Sequence, residues 1–196
     1  MINFHQMMID RCVEELHAAY QQTYSLIEPQ YPHIIEWTGR LALENIANSD
    51  NLYHDVEHTI LVTLVGQAIL KGKHLSEGGV TPGDWLHFTM ALLCHDIGYV
   101  RGVCRADGNG KFATGIGDEM VEISDDYTDS VLTPYHVDRS ELFVRERFGA
   151  QTLVDTVDAE RIAALIERTR FPIPDDPAYQ DDADYPGLLR AADFIG

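Results

Sequence analysis

Basic residues are scarce in this chain. Only 14 Lys plus Arg face 32 Asp plus Glu, a formal charge of −18 over 196 residues. That deficit weighs against a nucleic-acid partner and against an anionic membrane surface, since both reward clustered Lys and Arg. It would also repel a small anionic substrate unless bound dications reverse the field locally. Cysteine is sparse too: Cys12, Cys94 and Cys104 are odd in number and lack CxxC spacing, which excludes a disulfide framework or a zinc finger and fits a reducing cytoplasm. Long apolar runs are missing. The longest, ILVTLVGQAIL at 60 to 70, is interrupted and well short of the ~20 residues a membrane span needs. Residues 1 to 20 carry Asp10, Arg11, Glu14 and Glu15 within an amphipathic pattern, unlike the apolar core of a signal peptide. A soluble, cytoplasmic protein with no membrane or nucleic-acid partner is expected, and a homo-oligomer is left open. Repeats, heptad arrays and strand-rich blocks are absent as well.

What is present is helical periodicity. Apolar side chains recur at helical spacing from 2 to 27 (Met7, Met8, Cys12, Val13, Leu16, Ala19, Tyr20, Tyr24), and Pro29 and Pro32 mark the break. A second helix is predicted from about His33 to Asn48. A third is predicted from near Asn51, after the cap-rich Asn48-Ser49-Asp50, to about Lys71 with Gly72 as its stop. Thr81, Pro82 and Asp84 open a fourth, running to about Ile97. From Arg101 to Gly117 the pattern lapses into a stretch with five glycines, two arginines and one lysine. Loops of that length are often functional, so residues 99 to 117 are expected to be irregular and to border the site. Asp138 with Glu141 reads as a capping pair, Asp158 opens ERIAALIERT, and Pro186-Gly187 introduce a last helix. That helix is two turns long to Gly196, and continuation of the chain is expected. The acidic runs 118 to 129 and 175 to 184 lack EF-hand spacing and read as solvated surface. The length suits one buried core. The expectation is a single-domain, all-α fold over 1–196.

Ionisable residues interrupt this helical text at three places. In YHDVEH, His54 and His58 stand four apart, which on a helix would place both on one face. The segment is not the HExxH of zinc proteases, because Asp55, not Glu, follows the first histidine. In ALLCHDIGY, His95 and Asp96 end an apolar helix, where an unpaired carboxylate would cost several kcal/mol. The plain alternative is that Asp96 caps a helix or pairs with an arginine. In LLRAADFIG, Asp193 stands alone among apolar residues with Arg190 three positions before it; the alternative there is an Arg190–Asp193 pair. Taken together, His58, His95, Asp96 and Asp193 make a donor set suited to Zn, Fe, Mn, Mg or Ni, with Asp96 able to bridge two ions. The chemistry this set favours is hydrolysis of a phosphoester by an activated water, with His54 supplying the leaving group's proton.

The order His58, His95-Asp96, Asp193 resembles the signature of the HD superfamily of metal-dependent phosphohydrolases, from about Tyr53 onward. YHDVEH and the following TILVTL are similar to the YHNxxHAxxV segment of the cyclic nucleotide phosphodiesterases. That resemblance implies an HD-type helical fold, His58 as a metal ligand and His54 as proton donor to the leaving group. The chain departs from it where the phosphodiesterases read HDxxHxGxxN: Tyr99 stands in place of the further histidine. HDIGY also resembles the HDIGK of bacterial cyclic dinucleotide phosphodiesterases, with Tyr99 replacing the lysine and no GYP after it.

His136, in TPYHVDR beside Arg139, is a candidate second-metal ligand or phosphate contact, against a plain reading as an exposed histidine near a cap. Arg101, Arg105 and Lys111 are candidate phosphate donors by location. Arg101, Lys111, His136 and Arg139 thus make up the expected substrate-binding set. His5, His17, His33, His74 and His87 have no such context and read as structural or solvated. The function expected is hydrolysis of a small phosphoester, such as a nucleotide or cyclic nucleotide, with one or two divalent ions. The alternatives are an HD-type di-iron oxygenase and a metal-binding signalling domain without turnover.

Overall fold

A computed structural model describes residues 3–149 and 156–196. The fold is all-α, with seven helices and one two-stranded hairpin among the described residues. The helices are α1 (Phe4–Tyr24), α2 (Tyr31–Ile46), α3 (Val56–Ser76), α4 (Pro82–Cys94), α5 (His136–Phe148), α6 (Ala159–Ile166) and α7 (Tyr185–Ile195). Helix α4 is buried on every side from Trp85 to Cys94, as a helix apolar all round must be. It packs against α2, α3 and α6, while α1 lies on α2, α7 on α3 and α5 on α6. None of these helices is long and apolar enough to cross a membrane.

Helix starts follow local capping chemistry, and two of them correct the sequence reading. Thr81 and Asp84 form the reciprocal cap expected for α4, and Asp158 accepts from Arg161 N at the start of α6. Helix α3, however, begins at Val56 rather than near Asn51. The Asn51 side chain captures the backbone N–H groups of Tyr53 and His54, each at 3.1 Å, in an asparagine turn that competes with helix. Asp55 then caps the helix by accepting from His58 N at 3.0 Å. His54 therefore precedes the helix, and does not share a helical face with His58. Helix α5 begins at His136 without a side-chain cap. Asp138 pairs instead with Arg170 at 2.9 Å, and Glu141 with Arg145 at 2.9 Å.

The glycine-rich stretch is less irregular than its sequence suggests. Residues Lys111–Ala113 (β1) pair antiparallel with Met120–Glu122 (β2), Phe112 opposite Val121. Asn109 and Gly110, with φ of 53° and 74°, make the left-handed turn leading into β1. In the second acidic run, Arg168 donates to the carbonyls of Ala178 and Asp181, folding it onto the body.

Candidate metal centre

Three separate parts of the chain deliver the central side chains. His58 comes from the first turn of α3, His95 and Asp96 from the end of α4, and Asp193 from the last turn of α7. Helix α4 stops at Cys94, followed by a 3₁₀ turn over Ile97–Tyr99. Gly98 permits that turn to lie against α5, since a Cβ there would stand 1.9 Å from the His136 carbonyl oxygen. Ser140 ties the same crossing, donating to His95 O at 2.7 Å and accepting from Gly98 N at 2.9 Å.

The four side chains converge. His58 Nε2 lies 3.3 Å from Asp96 Oδ2 and 3.5 Å from Asp193 Oδ1. His95 Nε2 lies 3.2 Å and 3.4 Å from the same two oxygens. Neither Nε2 has a hydrogen-bond partner among the described residues, although both are buried. Buried polar atoms are rarely left so. Donors placed ~2.0–2.2 Å from one ion stand roughly 3 to 3.5 Å from their neighbours, which is the spacing found here. Moreover, His95 Nδ1 is 2.7 Å from the Leu92 carbonyl oxygen, which can only accept. Nδ1 therefore carries a proton, and Nε2 is the ring atom turned to Asp96 and Asp193, as in metal sites where a second hydrogen bond fixes the imidazole. These groups are positioned to hold a metal ion.

The charges reinforce one another. Burial opposes the imidazolium of His58, but the Asp193 and Asp96 carboxylates outweigh it and raise its pKa to about 9. His95 is raised for the same reason, with burial again opposing. Burial would lift Asp193, yet His58 and His95 bring it down to about 2. Asp96 is held well below the usual carboxylate range by His95, His54 and His58 against its burial. The sequence alternatives fail on geometry: Arg190 turns to the Tyr179 carbonyl and Asp182, not to Asp193, and Asp96 faces three imidazoles.

A second layer surrounds this centre. His54 Nδ1 is 2.7 Å from Asp96 Oδ2, and His54, His58 and Asp96 form a second donor group overlapping the first. The His54 ring stacks on Tyr99 at 4.3 Å, and Tyr99 on His136 at 4.5 Å. His136 is therefore at the site. Its Nδ1 donates to Thr133 O at 2.7 Å, and burial lowers its pKa despite the nearby Asp96. Burial and the Asp96 charge raise that of Tyr99.

The cationic residues are placed otherwise. Arg139 is fully buried and gives its donors to the carbonyls of Gly98, Val100 and Ala113 and to Asp107 at 2.9 Å. It holds the glycine-rich loop together, and its expected role as a phosphate contact is corrected. Arg101 pairs with Asp129 at 3.0 Å and donates to Tyr127 O. Lys111 is a strand residue paired with Glu122 at 2.9 Å, so both candidates have their partners outside the cluster. Of the expected border segment 99–117, Tyr99 meets the centre, whereas Asp107 and Ala113 are pinned by Arg139.

Sequence reasoning did not single out Asn51 or Tyr99 for what they do here. An Asn followed two and three residues on by backbone donors is a recognisable turn signal; the aromatic platform left no local trace.

The fold and centre define an all-α protein with a His–Asp cluster between α3, α4 and α7 whose donors are positioned to hold a metal ion. The chain belongs to the Npun_R2479-like family, whose model matches residues 2–196. No curated protein and no solved structure matches it.

Proposed function

We propose that this chain is a soluble, cytoplasmic HD-type metal-dependent phosphohydrolase acting on a small phosphoester such as a nucleotide or cyclic nucleotide. The observation that carries the reading is the pair of partnerless buried Nε2 atoms of His58 and His95, facing the carboxylates of Asp96 and Asp193. Those four residues would hold the principal ion, with His136 available to a second; of the ions expected from the sequence, Zn, Fe, Mn and Ni suit the mixed imidazole and carboxylate set better than Mg. A bound dication supplies Lewis-acid charge and a water acidic enough to act as nucleophile near neutral pH. It also offsets the repulsion that a chain of net charge −18 exerts on a phosphate.

The chain's own part is positioning and proton transfer. Asp96 orients His54 through Nδ1, leaving Nε2 of a ring that is 27% exposed to face an incoming ester. With a proton at Nε2, His54 donates to the departing oxygen as the ester bond breaks. Tyr99 and Asn51 hold the ring from the side and from the backbone. With Arg139 committed to the loop, phosphate recognition falls to the ion, His54 and His136.

The additional imidazole of His136 beside Tyr99 favours one rival, a di-iron oxygenase. The test is turnover of p-nitrophenyl phosphate and bis(p-nitrophenyl) phosphate by chelated protein reloaded with each metal in turn. Metal-dependent release of nitrophenol that disappears in His95→Ala is the expected result. No hydrolysis of these esters or of nucleotides with any metal, by protein verified to be loaded, would sink the proposal.

A further inference from the structure

A second set of donors lies where α1 meets α2, apart from the centre described above. His17 on α1 and His33 on α2 pack edge to face with ring centroids 5.1 Å apart. Glu36 stands three residues after His33 and so shares its face of α2. Its Oε2 is 3.5 Å from His17 Nδ1, and one donor atom from each of the three residues lies within 4.8 Å of the others. The carboxylate is held from behind: Glu36 Oε1 is 3.6 Å from Arg40 Nη2, and Arg40 is bonded in turn to Asp10. Arg40 thus braces Glu36 through one oxygen and leaves the other facing the histidines.

We propose that His17, His33 and Glu36 form a second metal site, which takes a borderline divalent transition ion, zinc above all, and clips α1 to α2. Two imidazoles and one carboxylate are a donor set that zinc accepts with a fourth position open to water. Magnesium and calcium prefer all-oxygen shells and are poorly served by it. His33 is exposed and His17 and Glu36 are half-buried, so water and the ion reach the site directly. The clip has a structural consequence. Helix α1 packs chiefly on α2 and only lightly on α3, so an ion bridging α1 to α2 would stabilise a helix that has little other support. The site uses none of the residues of the His–Asp centre, and it stands or falls independently of the phosphohydrolase reading.

The full chain is titrated with zinc at buffered free concentrations, and bound metal per chain is measured for the parent and for His17→Ala/His33→Ala. The double variant is expected to bind one zinc fewer while its circular dichroism is unchanged, and His95→Ala/Asp96→Ala should keep the surface zinc. In the parent, the imidazole NMR resonances of His17 and His33 should shift with zinc and not with the same concentration of magnesium. Equal zinc content in the parent and the His17/His33 variant up to tens of micromolar free zinc would overturn the proposal. So would resonances of these two histidines that zinc leaves in place, a reading that needs no variant at all.

Discussion

His54 Nδ1 stands 2.7 Å from Asp96 Oδ2, and that carboxylate oxygen is also 3.3 Å from His58 Nε2 and 3.2 Å from His95 Nε2. One oxygen therefore joins the candidate proton donor to the candidate ion ligands. His54→Ala is expected to leave metal content near that of the parent and to lower turnover of esters with poor leaving groups by roughly 10²- to 10⁴-fold. The loss should be much smaller for nitrophenyl esters, which need little protonation. Steady-state rates on a paired series of leaving groups, with metal analysis of the same samples, check this. Parent-like rates on both would refute the role, and loss of metal would make His54 a ligand.

Removing the ion should loosen the whole helical assembly, because its ligands lie on three helix ends. At a free concentration about 100 times the dissociation constant, binding adds roughly 2.7 kcal/mol to folding. For a chain of this size that is a rise of roughly 5 to 10 °C in Tm. Thermal melts of chelated and reloaded protein measure it. Asp193→Ala should weaken metal binding by at least the ~10- to 100-fold typical of losing even a supporting residue, and the metal-induced rise should shrink accordingly.

Arg139→Met is expected to destabilise the fold without acting specifically on catalysis. Arg139 and Asp107 are both without exposed side-chain surface, and removal of one partner leaves a buried charge uncompensated, on the order of 3–5 kcal/mol. Denaturant unfolding measures the loss. A stable variant with a raised KM for phosphoesters would instead restore Arg139 as a substrate contact.

A pH effect arises away from the metal centre. Burial and the neighbouring Glu167 raise the pKa of Glu141 to about 7. Its folded pKa exceeds its unfolded one, so the stabilisation it carries is complete below about pH 4.5 and is lost as pH rises through about 7. Burial would raise Glu167 too, but Arg170 and Tyr179 bring it down to about 2, and its contribution is lost only as pH falls toward that value. Glu141→Gln, which keeps a donor toward Glu167, should match the parent at pH 4 and exceed it at pH 8 by on the order of 2 kcal/mol. Unfolding curves at the two pH values decide the matter; a difference that does not change with pH would contradict it.

The helical class, the capped starts of α4 and α6, and the four side chains that meet at the centre were all legible in short stretches of sequence. Those properties are local: periodicity sets helices, a side chain three residues from a backbone N–H sets a cap, and a carboxylate in an apolar helix demands a partner. Tertiary structure decided the rest. Asn51 overrode helix formation around His54 because its side chain reached backbone donors first. The fate of Arg139 depended on carbonyls at Gly98, Val100 and Ala113, brought to one point only by the folded loop. The meeting of His17 with His33 and Glu36 likewise required α1 and α2 to pack. Pairings between distant segments are fixed by how whole helices bury their faces, and no short window of residues carries that geometry.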